Sequence, residues 1–183
     1  MVSKTLRNIH RPEDIEARVV SGNRKGDPIK GAFNRSAVGT VVERKTSLGT
    51  LSKTRGCTAS AALTGFSQQM KRLPVALRRS LTHDRGSKMA CHPKLAQLLK
   101  IDIWFCDPHA LWQRGSNENT NGLLRQFFPK GTNLIDLSQT ALNDVARLMN
   151  DCPRKTLERN TPADAMTQEL AAVKSTVARQ TRI

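Results

Sequence analysis

"DPIKGAFNRSAVGTVVERKTSLGTLSK", residues 27–53, reads as three short strands in succession, around Asp27 to Ala32, Val38 to Lys45 and Ser47 to Lys53. Residues 38–42, VGTVV, are rich in β-branched side chains, which suit a pleated, half-buried surface. Three consecutive strands make a meander, and the elements that follow it decide the fold class.

Those elements alternate. From Thr58 to Leu73 the apolar residues Ala59, Ala62, Leu63, Phe66, Met70 and Leu73 recur at intervals of three and four, one face of a helix that Pro74 ends. Residues 77–84, LRRSLTHD, read as a strand running into a loop at Gly86. Ser87 is placed to cap a helix through Leu99, which Pro93 is expected to kink or split. IDIWFC, 101–106, is a short apolar run bounded by Asp107-Pro108 and reads as a buried strand. A helix from Glu118 to Phe128 follows, closed by Pro129 and Gly131. Ser138 caps another, and Thr161-Pro162-Ala163-Asp164 opens a last one. The organisation expected is a basic arm at 1–26, a core at 27–166 and a basic, frayed tail at 167–183. The fold class is α/β, a mixed sheet of about five strands flanked by helices. A ribonuclease-H-like core has this order of elements, and so do other α/β folds.

The 183 residues suit one domain with a real core. Charge is the strongest global signal: 30 Lys and Arg against 15 Asp and Glu give +15, a surplus that favours a polyanionic partner held in a salt-sensitive way. Aromatic residues make up only 4% and tyrosine is absent, which argues against a broad base-stacking platform. Cys57, Cys91, Cys106 and Cys152 form no C-x-x-C pair, so they read as reduced thiols rather than a zinc site or disulfide framework. The first ten residues lack an apolar signal region and no run approaches a membrane span, so a cytoplasmic protein without a membrane partner is expected.

Nucleic-acid chemistry on so basic a chain directs attention to its few acids. Phosphoryl transfer without a covalent intermediate uses divalent cations, typically a pair about 3.5–4 Å apart, and Mg²⁺ takes hard oxygen ligands. Two or three carboxylates from separate elements are therefore the minimum. Asp27 opens the first strand, Asp84 ends the fourth, and Glu118 starts the helix after the fifth. Arg125 lies two helical turns beyond Glu118, on the same face, placed to hold a phosphate.

Four stretches carry a family resemblance: "GAFNRSAVGTVVERKT" (31–46), "LPVALRRSLTHDRGSKMACH" (73–92), "FCDPHALWQRGSNENTNGLLRQFFPKGTNL" (105–134) and "CPRKTLERNTPADA" (152–165). Over roughly residues 11–166 the chain resembles DDE transposases of bacterial insertion sequences, of the family numbered thirty, with an integrase-like catalytic domain. The resemblance implies a ribonuclease-H-like fold and cleavage and strand transfer of double-stranded DNA, at transposon ends and target, by an enzyme using two Mg²⁺ or Mn²⁺ ions and acting as a homo-oligomer. It places Asp27, Asp84 and Glu118 as the catalytic, metal-holding acids. It places Arg114, Asn117, Asn121, Arg125 and Lys130 against DNA, with Asn117 and Asn121 positioning substrate. His109, Trp112, Gln113 and Asn119 match the family's loop and helix around the glutamate.

Some residues depart from the pattern. Arg24-Lys25 stand where such enzymes carry Trp-Glu, and an ammonium on the face of Asp27 opposes a bound cation by about 4 kcal/mol at about 4 Å and an effective dielectric of about 20. Pro28 stands where an apolar residue with an N–H is expected, and should cost the strand a ladder donor. Gly49 and Thr50 weaken the third strand. The helix-turn-helix region expected ahead of the catalytic domain is missing from these residues. An N-terminally truncated copy is expected. The alternative to an active enzyme is then a catalytically inactive remnant that binds DNA through its basic surface. An unrelated basic architectural or ribosomal-type protein is a third reading, disfavoured by the block at 105–134.

Overall fold

The structure is a computed structural model that describes residues 6–7, 12–54, 59–83, 92–106 and 115–180. Its centre is one sheet. Strands β2 (Asn23–Lys30), β3 (Ala37–Glu43) and β4 (Gly49–Thr54) form the expected antiparallel meander. β5 (Ser80–His83) adds parallel to β2, and β6 (Asp102–Phe105) parallel to β5. A two-residue strand, β1 (Leu6–Arg7), closes the β6 edge, giving the order β1-β6-β5-β2-β3-β4. The five longer strands make the mixed sheet and strand order of a ribonuclease-H-like core.

Helices cover both faces. Alternation along β3 sends Val41 to one face, where it joins Phe66 and Met70 of α2 (Ala59–Lys71), Leu95 and Leu99 of α3 (His92–Leu99), and Leu81, Ile103 and Phe105 of the parallel strands. Val38 points the other way, with Ile29 and Leu51, into a second cluster with Leu124 of α4 (Gly115–Phe127) and Leu142 and Met149 of α5 (Gln139–Asn150). Period-two alternation between two covered faces explains why β3 is buried along its length. Gly39 marks a close approach: a β-carbon there would lie 2.6 Å from Ser52 Oγ and 3.2 Å from the ring of Phe66.

Two expected caps form. Ser138 Oγ accepts from Ala141 N–H at 3.0 Å. Thr161 Oγ1 accepts from Asp164 N–H at 3.0 Å and donates to the Asp164 carboxylate at 2.7 Å. Pro93 is the second residue of α3 as described, in a first turn where its missing N–H has no intrahelical acceptor. Ser87 lies outside the described residues.

Three expectations are corrected. β2 begins at Asn23, inside the stretch read as an arm, and α1 (Glu13–Glu16) precedes it. The C-terminal stretch is helical rather than frayed: α6 runs from Pro162 to Gln180, and Glu169 meets Lys45 Nζ at 2.5 Å. Burial works against the charge on Glu169, but hydrogen bonds from Lys45 and Ser21 and the ammonium itself hold its pKa below the usual value.

The third correction concerns Pro28. Asn23 C=O accepts from Arg44 N–H at 2.8 Å, and Gly31 N–H donates to Ser36 C=O at 2.9 Å. In the register that pairs Asp27 with Thr40, odd-numbered residues of β2 therefore bond to β3 and even-numbered ones face β5. The ring nitrogen of Pro28 faces the β5 side, where the described ladder ends at the pair Gly26–His83. It removes no bond from the β2–β3 ladder.

The edge strand β4 is covered by amide side chains. Gly49 N–H donates to Asn150 Oδ1 at 2.9 Å and Gly49 C=O accepts from Asn150 Nδ2 at 2.8 Å. Lys53 N–H donates to Gln139 Oε1 at 2.8 Å, and Leu51 C=O accepts from Gln139 at 2.9 Å and from Gln69 at 3.0 Å.

Candidate functional site

The site is assembled where α4 crosses β2. Asp27 and Lys25 share the face of β2 that looks at α4, while Arg24 and Gly26 look at α2, as alternation requires. The side-chain amide of Asn121 on α4 donates to Asp27 Oδ2 at 2.9 Å. Thr40, the register partner of Asp27 on β3, donates its hydroxyl to the Asp27 backbone carbonyl and lies 3.5 Å from Asn121 Oδ1. Asp27 itself is half-buried.

This contact sets the phase of α4. Position 118 lies three residues before Asn121, one turn earlier on the same face. The backbone of Glu118 is within α4, and its side chain is outside the described atoms. Asp84 also lies outside the described residues, and is bonded to His83, the last residue of β5, whose register partner is Gly26. Among the described residues no three metal-binding side chains gather in one place. The donors that are described, the Asp27 carboxylate and the amide of Asn121, are oxygen-bearing groups of the kind a hard divalent cation takes.

Arg125 is tied to backbone carbonyls. Its guanidinium donates to the Lys30 carbonyl at 3.1 Å and the Phe128 carbonyl at 3.4 Å, tying the end of α4 to the end of β2. A guanidinium has five N–H donors, so these two bonds leave others for a phosphate. Lys130 is exposed in the turn after α4. Arg114 and the side chain of Asn117 lie outside what is described, as do His109 and Trp112. Thr40 was missed by sequence reading, although the β2–β3 register alone would have found it opposite Asp27.

Two cations precede Asp27 on β2, both almost completely buried. Lys25, 1% exposed, lines a cavity of about 60 Å³ with Asn119, Thr120 and Leu123 of α4 and with Arg44 and Arg154. The ammonium-bearing residue is thus packed against the half of α4 that contains Glu118. Arg24, 2% exposed, donates to the Leu77 carbonyl at 2.7 Å and pairs across the sheet with Glu43. Burial lowers its pKa to about 10, and the charge of Glu43 only partly offsets this. Glu43 is in turn held by the N–H groups of Gly22, Lys45 and Thr46 and by the Thr46 hydroxyl. No helix among the described residues is long and apolar enough to cross a membrane.

No family model matches the chain. It is similar to a transposase for insertion sequence element IS1086 of Cupriavidus metallidurans, 46% identical over 165 residues, covering 90% of this chain and 49% of the relative. It is similar to transposase InsI for insertion sequence element IS30A of Escherichia coli, 38% identical over 88% of this chain and 42% of the relative. A transposase for insertion sequence element IS4351 of Bacteroides fragilis is 33% identical over 86% of this chain and 48% of the relative. The chain spans about half the length of the curated relatives it matches.

Proposed function

We propose that this chain, which belongs with the IS30-type insertion-sequence transposases, contains the part of such an enzyme that cuts and joins DNA strands by metal-dependent phosphoryl transfer. The observation that carries this reading is the hydrogen bond from Asn121 to Asp27. It brings the Glu118 face of α4 onto the strand of Asp27, beside the end of β5 from which Asp84 follows. Asp27, Asp84 and Glu118 would hold two Mg²⁺ or Mn²⁺ ions, which when bound supply activation of a water or 3′-hydroxyl and neutralise charge on the phosphoryl oxygens.

The protein's own residues do the positioning. Asn121 fixes the rotamer of Asp27, and Thr40 steadies the backbone beneath it. Arg125 and Lys130, with Arg114 and Asn117, hold the DNA phosphates along the helix and its two ends. The partner in this reading is double-stranded DNA, both element ends and target, acted on in the cytoplasm by a multimer of the chain.

A second reading is favoured by one observation. Lys25 is buried on the face of Asp27 and packs against α4, where its charge opposes a bound cation. In that reading the chain binds DNA through its basic surface and performs no cleavage. Incubating labelled DNA carrying relatives' element ends with Mn²⁺ separates the two. Cleavage lost in Asp27→Asn and Asp84→Ala supports the enzyme. Salt-sensitive binding without cleavage by any variant supports the binding remnant.

A further inference from the structure

The turn between β2 and β3 holds an aromatic ring out in solvent. Phe33 is 88% exposed, although burial would favour so large an apolar side chain. Its φ is 51° and ψ 22°, the left-handed region that bulky residues rarely enter. The turn that imposes this is held from several sides. Gly31 N–H donates to Ser36 C=O at 2.9 Å, Ala32 N–H to Thr132 C=O at 3.0 Å, and Arg35 N–H to Ala32 C=O at 3.1 Å. Ser36 Oγ accepts from Leu134 N–H at 3.2 Å. The ring is thus displayed by a pinned turn.

Its surroundings are cationic. The Arg35 guanidinium lies 5.7 Å from the ring centroid, and Lys30 and Arg35 are exposed on either side of the turn. Lys130 is exposed in the segment that bonds to the turn through Thr132. Neither residues 28–35 nor residues 125–135 include an acid. An aromatic face ringed by cations matches a nucleobase and its phosphates. A second copy of this chain, itself carrying +15, is a poor match for the same surface.

We propose that Phe33 is a base-contacting finger, stacking on a nucleobase of DNA whose phosphates are held by Lys30, Arg35 and Lys130. This rests on the DNA reading above and deepens it. About 10 Å of strand separates Asp27 from Lys30, so the stacked base lies along the duplex from the phosphate at the carboxylate site.

The test is fluorescence anisotropy of a labelled duplex with a single-stranded overhang, over a series of salt concentrations, with wild type, Phe33→Ala and Phe33→Trp. Stacking of one base predicts that Phe33→Ala loses roughly 5- to 100-fold in affinity at every salt concentration. The salt slope should be unchanged because no cation is removed. Phe33→Trp should retain binding, and 2-aminopurine in the overhang should change emission with wild type but not with Phe33→Ala. Phe33→Gly, which relieves the left-handed backbone, should melt at or above wild type. Equal binding by Phe33→Ala overturns the proposal, as does a drop in its melting temperature, which would make Phe33 a packing residue. Self-association without DNA that Phe33→Ala abolishes overturns it in favour of a contact between copies. Wild-type protein that binds no DNA defeats the DNA reading and this inference together.

Discussion

The Asn121 side-chain amide on α4 donates to Asp27 Oδ2 on β2 at 2.9 Å, joining two elements that are far apart in sequence. A hydrogen bond to an ionised acceptor contributes about 1.5–3 kcal/mol when buried. Here both partners are half-buried, so Asn121→Ala should lower stability by about 1–2 kcal/mol, read as a shift in the urea midpoint at unchanged slope. Asn121→Asp should cost more, because it sets two carboxylates against each other. A midpoint unmoved by Asn121→Ala would mean that the contact does not hold α4 in place.

Lys25 sets the electrostatics of the same face. Replacing it with glutamate should increase the response to Mn²⁺. Metal at about 100 times its dissociation constant adds about 2.7 kcal/mol to a fold that binds it, a rise of roughly 5–10 °C for a chain this long. Lys25→Glu should approach that rise and exceed wild type, and Asp27→Asn should abolish it in both backgrounds. Identical melts for Lys25→Glu and wild type across a Mn²⁺ titration would show that the ammonium does not oppose the cation.

Pro28→Leu should change stability by no more than about 0.5 kcal/mol. The proline nitrogen faces the side of β2 where the described β5 ladder has ended, and its register partner is Gly39, so the substitution restores no bond to β3. A gain of 2 kcal/mol or more, on the order of a recovered buried bond, would place a partner opposite that nitrogen.

Arg24 gives stability a signature at high pH. Burial lowers its pKa on folding to about 10. From about that pH upward the unfolded chain therefore binds more protons, and this group's contribution rises as pH rises. Other basic groups titrate there too, so the comparison is wild type against Arg24→Met. Wild type should gain on the variant as pH rises above about 10. At neutral pH Glu43→Ala leaves a buried guanidinium without its counter-charge and Arg24→Met leaves the buried Glu43 carboxylate without its own, so each should cost about 3–5 kcal/mol, whereas replacing both with apolar residues should be close to neutral. A stability difference between wild type and Arg24→Met that stays flat with pH would show that the guanidinium is better solvated than its burial implies.

The meander and its sequel were legible because VGTVV at 38–42 and the three-and-four spacing of Phe66 and Met70 are local signals of strand and helix. The start of β2 was not. "NRK" at 23–25 reads as solvent-facing charge, and only the register that sets Arg24 opposite Glu43 shows how the sheet absorbs it. The direction of the Pro28 nitrogen is likewise a property of hydrogen-bond phase, which a sequence does not display. α6 looked frayed because its apolar face is weak, and the Lys45–Glu169 pair that docks it joins distant segments. For the site, the spacing from Glu118 to Arg125 gives no sign of the attachment of Arg125 to the carbonyl of Lys30. Asn121 was expected against substrate and is found on Asp27.

The amides of Gln139, Asn150 and Gln69 along β4 have a consequence for how copies of this chain can meet. A bare outer strand is a template on which a foreign strand can zip, the route to fibrils and strand exchange. Here Gly49, Leu51 and Lys53 already spend backbone groups on side chains rooted in α5 and α2. A newcomer strand would have to displace those bonds one for one, with no net gain in hydrogen bonding. The sheet is thereby terminated on this side, and copies of the chain gain nothing by meeting strand to strand along β4.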